Sequence, residues 1–365
     1  MNIEVLDQNF DLIAVISEYE SFIWTDRYNK PGDFEIYSPI SEENLKYLVR
    51  DNYIRLDTSE HLMIIEDIVY QSSAEGKHVQ IVGRSLESIL DRRIVWEKTD
   101  VDGNFQQQIQ KLFNENIINT SIVDRRISNF VFEPSTDEAI TKLTLTNQYA
   151  GDTLLSIIET LTEEFDIGWK IILNDEKKFV FSFYTGTDRS YAQNTNSYVI
   201  FSPSFENVIE STYTVAGGNF KSVVLVAADD SSYSMTGETV SLAERPKIYR
   251  VIGGGTGLLR RELYATPSGV TQEEGESRES YERKLDQFGR EELKKYTISK
   301  KFDGQYETRI AFKYGVDFFM GDTVEVADEY GNEASSKIIE FIWSNNVSNG
   351  EEAYPTFRSN ETNEE

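Results

Sequence analysis

The stretch YRVIGGGTGLLRREL at residues 249–263 decides between two folds for this chain. Residues 249–252 predict an apolar strand, which runs into a glycine cluster and then into apolar residues that suit a helix. Dinucleotide-binding folds begin in this way, because glycines let the backbone approach a pyrophosphate at a helix N-terminus. The other interpretation is a simple turn, and the surrounding residues have to decide.

The spacing of the glycines argues against a nucleotide pocket. Dinucleotide-binding loops carry glycines at their first, third and sixth positions. Gly253 and Gly255 supply the first two, but Leu258 stands at the sixth. Gly257 comes one residue early, and residues 258–267, LLRRELYATP, predict a second strand rather than a helix. We therefore interpret the cluster as a flexible hairpin or bulge and expect no cofactor.

The composition favours strands and restricts the classes of site. Among 365 residues there are 20 Tyr and 21 Phe, and such aromatic-rich chains favour β-structure. The chain has no cysteine, so neither disulfides nor thiolate metal sites stabilise it, which is compatible with assembly in a reducing cytoplasm. The length allows about two to four compact units.

The charge is strongly negative. Acidic residues outnumber basic ones 63 to 36, for a formal net charge of -27. This argues against a general nucleic-acid binder, since phosphate binding needs clustered Lys and Arg. Two interpretations stay open: the charge serves solubility, or it keeps a surface from holding DNA.

The sequence predicts no export signal and no membrane span. Residues 1–10, MNIEVLDQNF, have neither a basic segment nor an apolar one of the kind that directs secretion. No apolar run in the chain approaches the roughly 18 residues that a spanning helix requires.

The pattern along the chain predicts β-rich ends around an α/β middle. Two short Ser-capped helices, at residues 41–49 and 85–93, interrupt the strands of the first part. The middle part predicts helices at residues 104–117 and 151–165, the second with Asp152 as its N-cap, and then a hairpin. Beyond it, residues 281–296 predict a helix, although Gly289 costs it roughly 1 kcal/mol relative to Ala.

These patterns predict four segments and a fold class. The fold class is α+β, mainly β, and the β-rich ends suggest two related domains. The segments are a first β domain at 1–97, an inserted α/β region at 98–205, a second β domain at 206–355 with a mobile loop near 267–280, and a disordered tail at 356–365.

Candidate catalytic and metal residues are few. His61 and His78 lie in predicted strands, where we interpret each as a surface residue. The HExxH and GxSxG motifs are absent, which leaves zinc proteases and nucleophilic triads without support. Residues 100–104, DVDGN, resemble a calcium loop, but Lys111 stands where such a loop needs a bidentate Glu, so they predict a turn. A weak calcium site elsewhere among the acids stays open.

Sugar binding and glycoside hydrolysis stay open on sequence grounds. A glycosidase needs two carboxylates placed by the fold, which sequence spacing does not reveal. Aromatic rings can stack on sugars, but each tryptophan lies in an apolar strand context, so core packing is predicted for all of them. They are Trp24, Trp96, Trp169 and Trp343.

Several stretches together resemble one family, the baseplate hub or tail-associated proteins of long-tailed bacteriophages. The resemblance covers nearly the whole chain, and its specificity comes from the order and spacing of motifs that are weak singly. The stretches are FIWTDRYNKPGDFEIYSP (22–39), LLSIIETLTEEFDIGWKIIL (154–173), FYTGTDRS (183–190), VIFSPSFENV (199–208), LDQFGREELKKY (285–296), GDTVEVADEYGNEASSKIIEFIW (321–343) and YPTF (354–357).

The resemblance implies a structural, non-enzymatic hub with no catalytic, cofactor or metal residues. It implies a homotrimer in which each chain carries two tail-tube-like β-barrel or sandwich domains, so that six similar units cap a hexameric tail tube. The implied partners are the distal tail protein or tube hexamer, other tip and receptor-binding proteins, and the tape-measure protein. DNA would pass through without specific binding, and we infer that lumen carboxylates would repel its phosphates.

The resemblance also implies a place and a limit. The protein would lie in the virion at the tail tip, after assembly in the host cytoplasm, in a flexible-tailed or a contractile particle. The chain stops soon after residues 354–357, where many relatives continue into a lytic or fibre-like extension, so those activities are expected elsewhere. Two alternatives stay open: a carbohydrate-binding host-recognition module, and a cell-wall hydrolase.

Overall fold

Strands dominate the regular structure, so the predicted α+β, mainly β class is confirmed. The computed structural model describes residues 2–73, 76–230, 247–273, 275–306, 308, 311–347 and 350–359. Within these residues the sheets are open at their edges, and none closes into a barrel.

The strands of the N-terminal part form an antiparallel sheet, as their alternating apolar residues predict. In β7, buried positions alternate with half-buried ones, because one face of the strand packs on the core. Its elements are β1 (Ile3–Leu6), β2 (Leu12–Ile16), β3 (Ser21–Arg27), β4 (Asp33–Pro39), α1 (Glu42–Tyr47), β5 (Tyr53–Leu56), β6 (Leu62–Ser73), β7 (Gly76–Ser85) and a 3₁₀ helix at Leu86–Arg92.

Only one of the two predicted serine caps forms. Ser41 caps α1, since its hydroxyl accepts the Asn44 amide at 3.0 Å. Ser85 makes no such bond to the 3₁₀ helix that follows it. Its hydroxyl instead accepts the amide of Gly32 at 2.8 Å, because β7 ends beside the turn that enters β4. The prediction of a capped helix after Ser85 is wrong.

The middle part contains two small sheets and three α-helices. Strand β12 pairs with both its neighbours, antiparallel to β11 and parallel to β9, and β8 pairs with β10. Its elements are β8 (Thr99–Asn104), α2 (Phe105–Phe113) with a π turn at Asn114–Ile118, a 3₁₀ turn at Val123–Arg125, β9 (Phe130–Glu133), α3 (Glu138–Thr141), β10 (Thr144–Tyr149), α4 (Leu154–Glu164), β11 (Gly168–Leu173) and β12 (Phe179–Tyr184).

Two predictions for the middle part are wrong in detail. Thr153, not Asp152, caps α4, because its hydroxyl lies within 3.1 Å of the Ser156 amide. Residues 100–104 were predicted to form a turn, but they belong to β8 and pair with β10. The α2 helix itself is confirmed, with Asn104 as its cap.

The C-terminal part adds more strands and the longest helix. A three-stranded sheet in the order β16-β15-β17 carries α5 on one face. The elements are β13 (Ile200–Phe201), a 3₁₀ turn at Pro203–Phe205, β14 (Val208–Ala216), β15 (Val223–Asp229), β16 (Lys247–Gly253), a 3₁₀ turn at Gly257–Leu259, β17 (Glu262–Ala265), α5 (Arg278–Lys294), β18 (Ser299–Tyr306), β19 (Thr323–Ala327), β20 (Glu333–Asn346) and β21 (Gly350–Ser359).

The described part of the predicted tail belongs to a strand. The tail was expected to be disordered from residue 356, but β21 continues to Ser359, and Thr356 and Phe357 are buried in it. Residues 360–365 lie outside the described part. The segment predicted to be a mobile loop contacts the middle part, where the Thr271 amide donates to Gln148 at 2.8 Å. Its mobility stays a prediction.

A single strand pair joins the two ends of the chain in the described sheet. Strand β20 lies between β21 and β3, so the C-terminal strands continue directly into the sheet of the N-terminal strands. In this pair Trp343 lies opposite Trp24, and both rings face the same core. The two residues before each tryptophan are also identical, because Phe-Ile-Trp occurs at 22–24 and again at 341–343.

Three hydrophobic clusters stabilise these parts. One fills the middle part together with the first 3₁₀ helix. A second is shared by the strands from both ends of the chain, with Trp24 and Phe341 fully buried in it. The third lies between α5 and the three-stranded sheet. The second cluster therefore joins the two β-rich ends in one core, while the third lies wholly within the C-terminal part.

Candidate functional site

The glycine cluster is a crossing loop, not a nucleotide site and not a hairpin. Strands β16 and β17 lie on opposite sides of β15, so the loop passes over the end of that strand. Gly253 and Gly255 have φ of +90° and +115°, which residues with a Cβ rarely adopt. A single 3₁₀ turn at Gly257–Leu259 follows the glycines, where a dinucleotide-binding loop would lead into a helix. The predicted second strand is confirmed, but the predicted hairpin is wrong.

The crossing loop exposes two leucines. Leu258 is 99% exposed and Leu259 is 72% exposed. The Ser222 hydroxyl fixes the loop, accepting the Arg261 amide at 3.0 Å and donating to the Leu259 carbonyl at 3.3 Å. The loop therefore holds apolar side chains outward with a defined backbone.

The two histidines occupy different environments. His78 lies half-buried in β7, stacked on Tyr37 at 5.0 Å. His61 was predicted to be a strand surface residue, but it is buried just before β6, 3.1 Å from Glu87. Burial alone would lower the pKa of His61, but the charges of Asp26 and Glu87 outweigh it and raise that pKa to about 9. The surface prediction for His61 is therefore wrong, and the residue is a buried cation between two acids.

A second buried polar cluster joins α5 to the middle part. The Glu291 carboxyl accepts the Asn147 amide at 2.8 Å and the Gln287 amide at 3.1 Å. Burial raises the pKa of Glu291 to about 7. Nearby, the Lys284 ammonium lies 2.5 Å from Asp100. These contacts fix α5 against β8 and β10 through polar groups rather than through an apolar core.

Tyr28 lies where three parts of the chain meet. Its ring is fully buried, and its hydroxyl donates to the Asp166 carbonyl at 3.2 Å. The Lys337 ammonium lies over the ring, 5.1 Å from its centre. A Cβ at Gly168 or Gly321 would fall 2.4 or 2.3 Å from the ring, so both positions need glycine. The junction holds the N-terminal strands, the middle part and β20 in one arrangement.

A polar cleft of about 440 Å³ lies on the middle part. Trp96 forms one wall and is 59% exposed, with the Arg125 guanidinium 5.1 Å from its ring centre. Lys111, Glu115 and Asn116 lie around it. Core packing was predicted for all four tryptophans and is confirmed for Trp24, Trp169 and Trp343, but it is wrong for Trp96. Glu97 and Lys98 follow it, but the apolar Ile94 and Val95 precede it, so the local sequence gave no clear signal of exposure.

The described residues show no cluster of metal-binding side chains and no membrane-spanning helix. They contain no group of three or more His, Cys, Asp or Glu side chains placed to hold a metal ion. None of their helices is long and apolar enough to cross a membrane.

The same architecture occurs in solved tail proteins. The 43 kDa tail protein of prophage MuSo2 from Shewanella oneidensis superposes with a TM-score of 0.56 at 13% identity, over 98% of both chains. A tail protein from Neisseria meningitidis MC58 gives 0.55 at 13% identity, over 98% of this chain and 96% of that one. Prophage tail protein gp18 from Listeria monocytogenes EGD-e gives 0.54 at 11%, over 99% and 95%.

The fold is thus that of phage tail proteins along nearly its whole length. The family model of the Siphovirus ReqiPepy6 Gp37-like protein matches residues 2–356, and the chain belongs to that family. The predicted resemblance to tail proteins of long-tailed phages is confirmed. None of the curated proteins compared with the chain matches it.

Proposed function

We propose that this tail protein is the structural hub of the tail tip. Three copies would cap the hexameric tail tube, each presenting two tube-like β domains at 1–97 and 206–355 with the α/β region 98–205 inserted. The observation that carries the proposal is the β3–β20 pair, where two β-rich ends with the same Phe-Ile-Trp segment meet side by side. Two such units in each of three chains match six-fold symmetry.

A hub has to keep its parts in fixed relation while other proteins bind, and three observations support this role. The two β-rich ends share one core, Tyr28 joins three parts of the chain, and α5 is tied to the middle part by buried polar contacts. The proposed partners are the distal tail protein or tube hexamer, other tip and receptor-binding proteins, and the tape-measure protein.

The proposed channel passes DNA without holding it. The net charge of -27 favours repulsion of phosphates by the surfaces that line the path. A filter-binding assay with linear duplex DNA at low salt should therefore show no retention. Retention that weakens as salt is added would contradict a passive channel.

Cryo-electron microscopy of assembled tails tests the hub directly. We expect three copies of the chain at the distal end of the tube, with the β-rich ends arranged as six units around the axis. A location along the tail shaft, or a copy number that is not three, would contradict the proposal.

A carbohydrate-binding role is the second candidate, and the cleft at Trp96 is the observation that favours it. An exposed indole beside amide and carboxylate groups suits the apolar face and the hydroxyls of a sugar. A glycan array should show selective binding that Trp96→Ala removes and that the exposed control Val123→Ala keeps. A wild-type protein that binds no glycan would remove this candidate.

A further inference from the structure

The crossing loop over β15 is built to present an apolar and basic surface. We name residues 258–261, Leu-Leu-Arg-Arg, the leucine tip. Both leucines are exposed although burying each would be favourable by roughly 1.5–3 kcal/mol. Because the Ser222 hydroxyl fixes the loop backbone on both sides, this exposure is a defined feature of the loop. Such a feature favours a partner that covers it.

Elsewhere on the same chain lies a surface of the opposite kind. A groove of about 390 Å³ runs across the outer face of β3, β4 and β7, and we name it the acidic groove. Ile23, Glu35 and Val82 are register neighbours across these strands, and Ile23 is 44% exposed. Asp33 and Glu66 also line the groove.

The charges of the groove are only partly satisfied within the chain. Asp33 pairs with Arg27 at 2.8 Å, and Glu66 pairs with Arg84 at the same distance. Within the described residues Glu35 has neither an ion-pair nor a side-chain hydrogen-bond partner. The groove therefore offers an apolar floor and an accessible carboxylate, which the leucine tip complements with apolar side chains and cations.

We propose that the leucine tip of one copy seats in the acidic groove of the next copy. Leu258 and Leu259 would cover Ile23 and Val82. Arg260, which pairs with Glu262 at 2.6 Å within its own chain, would also face Glu35. Tip and groove are different surfaces, so the contact is head-to-tail and closes into a ring when the rotation between copies allows it. The inference rests on the proposed trimer for the size of that ring.

Introduced thiols test the contact cleanly, since the chain has no cysteine of its own. A disulfide forms only between Cα atoms within about 7 Å of each other. If the tip seats in the groove, Leu258→Cys of one copy lies close to Val82→Cys of the next, so the double variant should form intermolecular disulfides under mild oxidation. Non-reducing electrophoresis should show dimers and trimers, with no larger covalent species. In the control variant Leu258→Cys with Val123→Cys, the second thiol is more accessible, since Val123 is 67% exposed and Val82 is half-buried. It should nevertheless form at least tenfold less trimer.

Charge reversal gives an independent readout on the same cross-link. In the thiol background, Arg260→Glu should lower the trimer yield at least fivefold, and adding Glu35→Lys should restore it. Thermal melting of each variant separates a lost contact from a lost fold. A yield that ignores both charge changes would overturn the Arg260–Glu35 pairing and with it the proposed seat.

A failure of the tip-in-groove contact can be distinguished from a failure of the proposed hub function. Cross-linking is done both on free protein and on tails assembled with the variants. Three copies at the tip without a 258–82 cross-link would overturn the tip-in-groove contact and leave the hub intact. Assembled tails that hold the chain in any other copy number would overturn the proposed function, and the contact with it.

Discussion

Glu291 is a single buried carboxyl that should make stability depend on pH in the mildly acidic range. Its pKa is raised by burial to about 7 in the folded chain, above the ordinary value of 4.5. The folded state therefore keeps a proton that the unfolded state has released, and stability falls as the pH rises from about 4.5 to 7. The full effect is about 3 kcal/mol.

Glu291→Gln removes the charge and keeps an oxygen that accepts the Asn147 and Gln287 amides. We expect it to raise the melting temperature at pH 8 and to leave it unchanged at pH 5. Glu279→Gln, on the exposed face of the same helix, is the control and should change little at either pH. An equal shift at both pH values would contradict a titrating carboxyl.

His61 should control a second, more alkaline window. Its folded pKa of about 9 lies above the ordinary 6.5, so the charged form contributes stability below pH 6.5 that is lost as the pH rises through 9. Thermal melts of Glu291→Gln, which lacks the first window, should still lose stability between pH 7 and 9.

His61→Ala leaves the buried Asp26 and Glu87 without their cation. We expect a loss of about 3–5 kcal/mol at pH 7, measured by urea unfolding, because an uncompensated buried charge is strongly destabilising. His78→Ala changes a half-buried imidazole and serves as the comparison. A similar cost for the two histidines would contradict the buried ion-pair assignment.

At the scale of elements, Gly289 shows how packing overrides helix propensity. A Cβ there would lie 2.5 Å from the Ile252 side chain and 2.9 Å from that of Val226, because α5 rests closely on β15 and β16. Gly289→Ala gains roughly 1 kcal/mol of propensity but costs roughly 1–3 kcal/mol of overpacking, so we expect net destabilisation in urea.

Two further variants show whether overpacking is the reason for the cost of Gly289→Ala. Gly218→Ala has nothing within 4 Å of the new methyl and should be close to neutral. Ile252→Ala with Gly289→Ala makes room for the new methyl, so their costs should fall short of additive. Strict additivity would mean that the close approach of α5 does not decide this position.

The elements themselves were largely predictable, and their partners were not. Period-2 and period-3.6 patterns identified most strands and helices, since local burial follows the local pattern. Sequence placed Gly289 in a helix but gave no reason for it, because the reason is Ile252 on another element. A contact with another element likewise decides the role of Ser85. By residue type it suits an N-cap, but its hydroxyl instead accepts the backbone amide of Gly32. The crossing of β16 and β17 around β15 depends on tertiary pairing in the same way.

For the whole molecule, the tryptophans test whether the two β-rich ends unfold together. Trp24 and Trp343 are paired across the strands that join the ends and lie in one core. We expect Trp24→Ala and Trp343→Ala each to cost about 3–5 kcal/mol and to shift the same calorimetric transition. Trp96→Ala, at the exposed cleft, should change stability by less than about 0.5 kcal/mol. Separate transitions for the two buried variants would contradict a shared core.

The overall architecture was predicted mainly from the resemblance to a family, and less from the burial and turn patterns of the residues. The order of motifs pointed to phage tail proteins, and fold and family agree with it. The repeated Phe-Ile-Trp at 22–24 and 341–343 was visible in the sequence, but its meaning needed the register that places Trp24 opposite Trp343. Exposure of Trp96 and burial of His61 depended on distant contacts, which no local pattern reports.

Because β3 pairs with β20, this part of the sheet can form only late in synthesis on the ribosome. Strand β3 leaves the ribosome early, yet its neighbour is completed only at Asn346. At roughly 5–20 residues per second, that edge waits on the order of tens of seconds for its partner. During this interval the nascent chain carries an open strand beside an incomplete core, which is the condition that favours association with the wrong neighbour. Slow translation of the residues between β3 and β20 would lengthen the time for which the edge of β3 is open. The yield of folded protein should therefore respond to translation speed and to chaperones in the host.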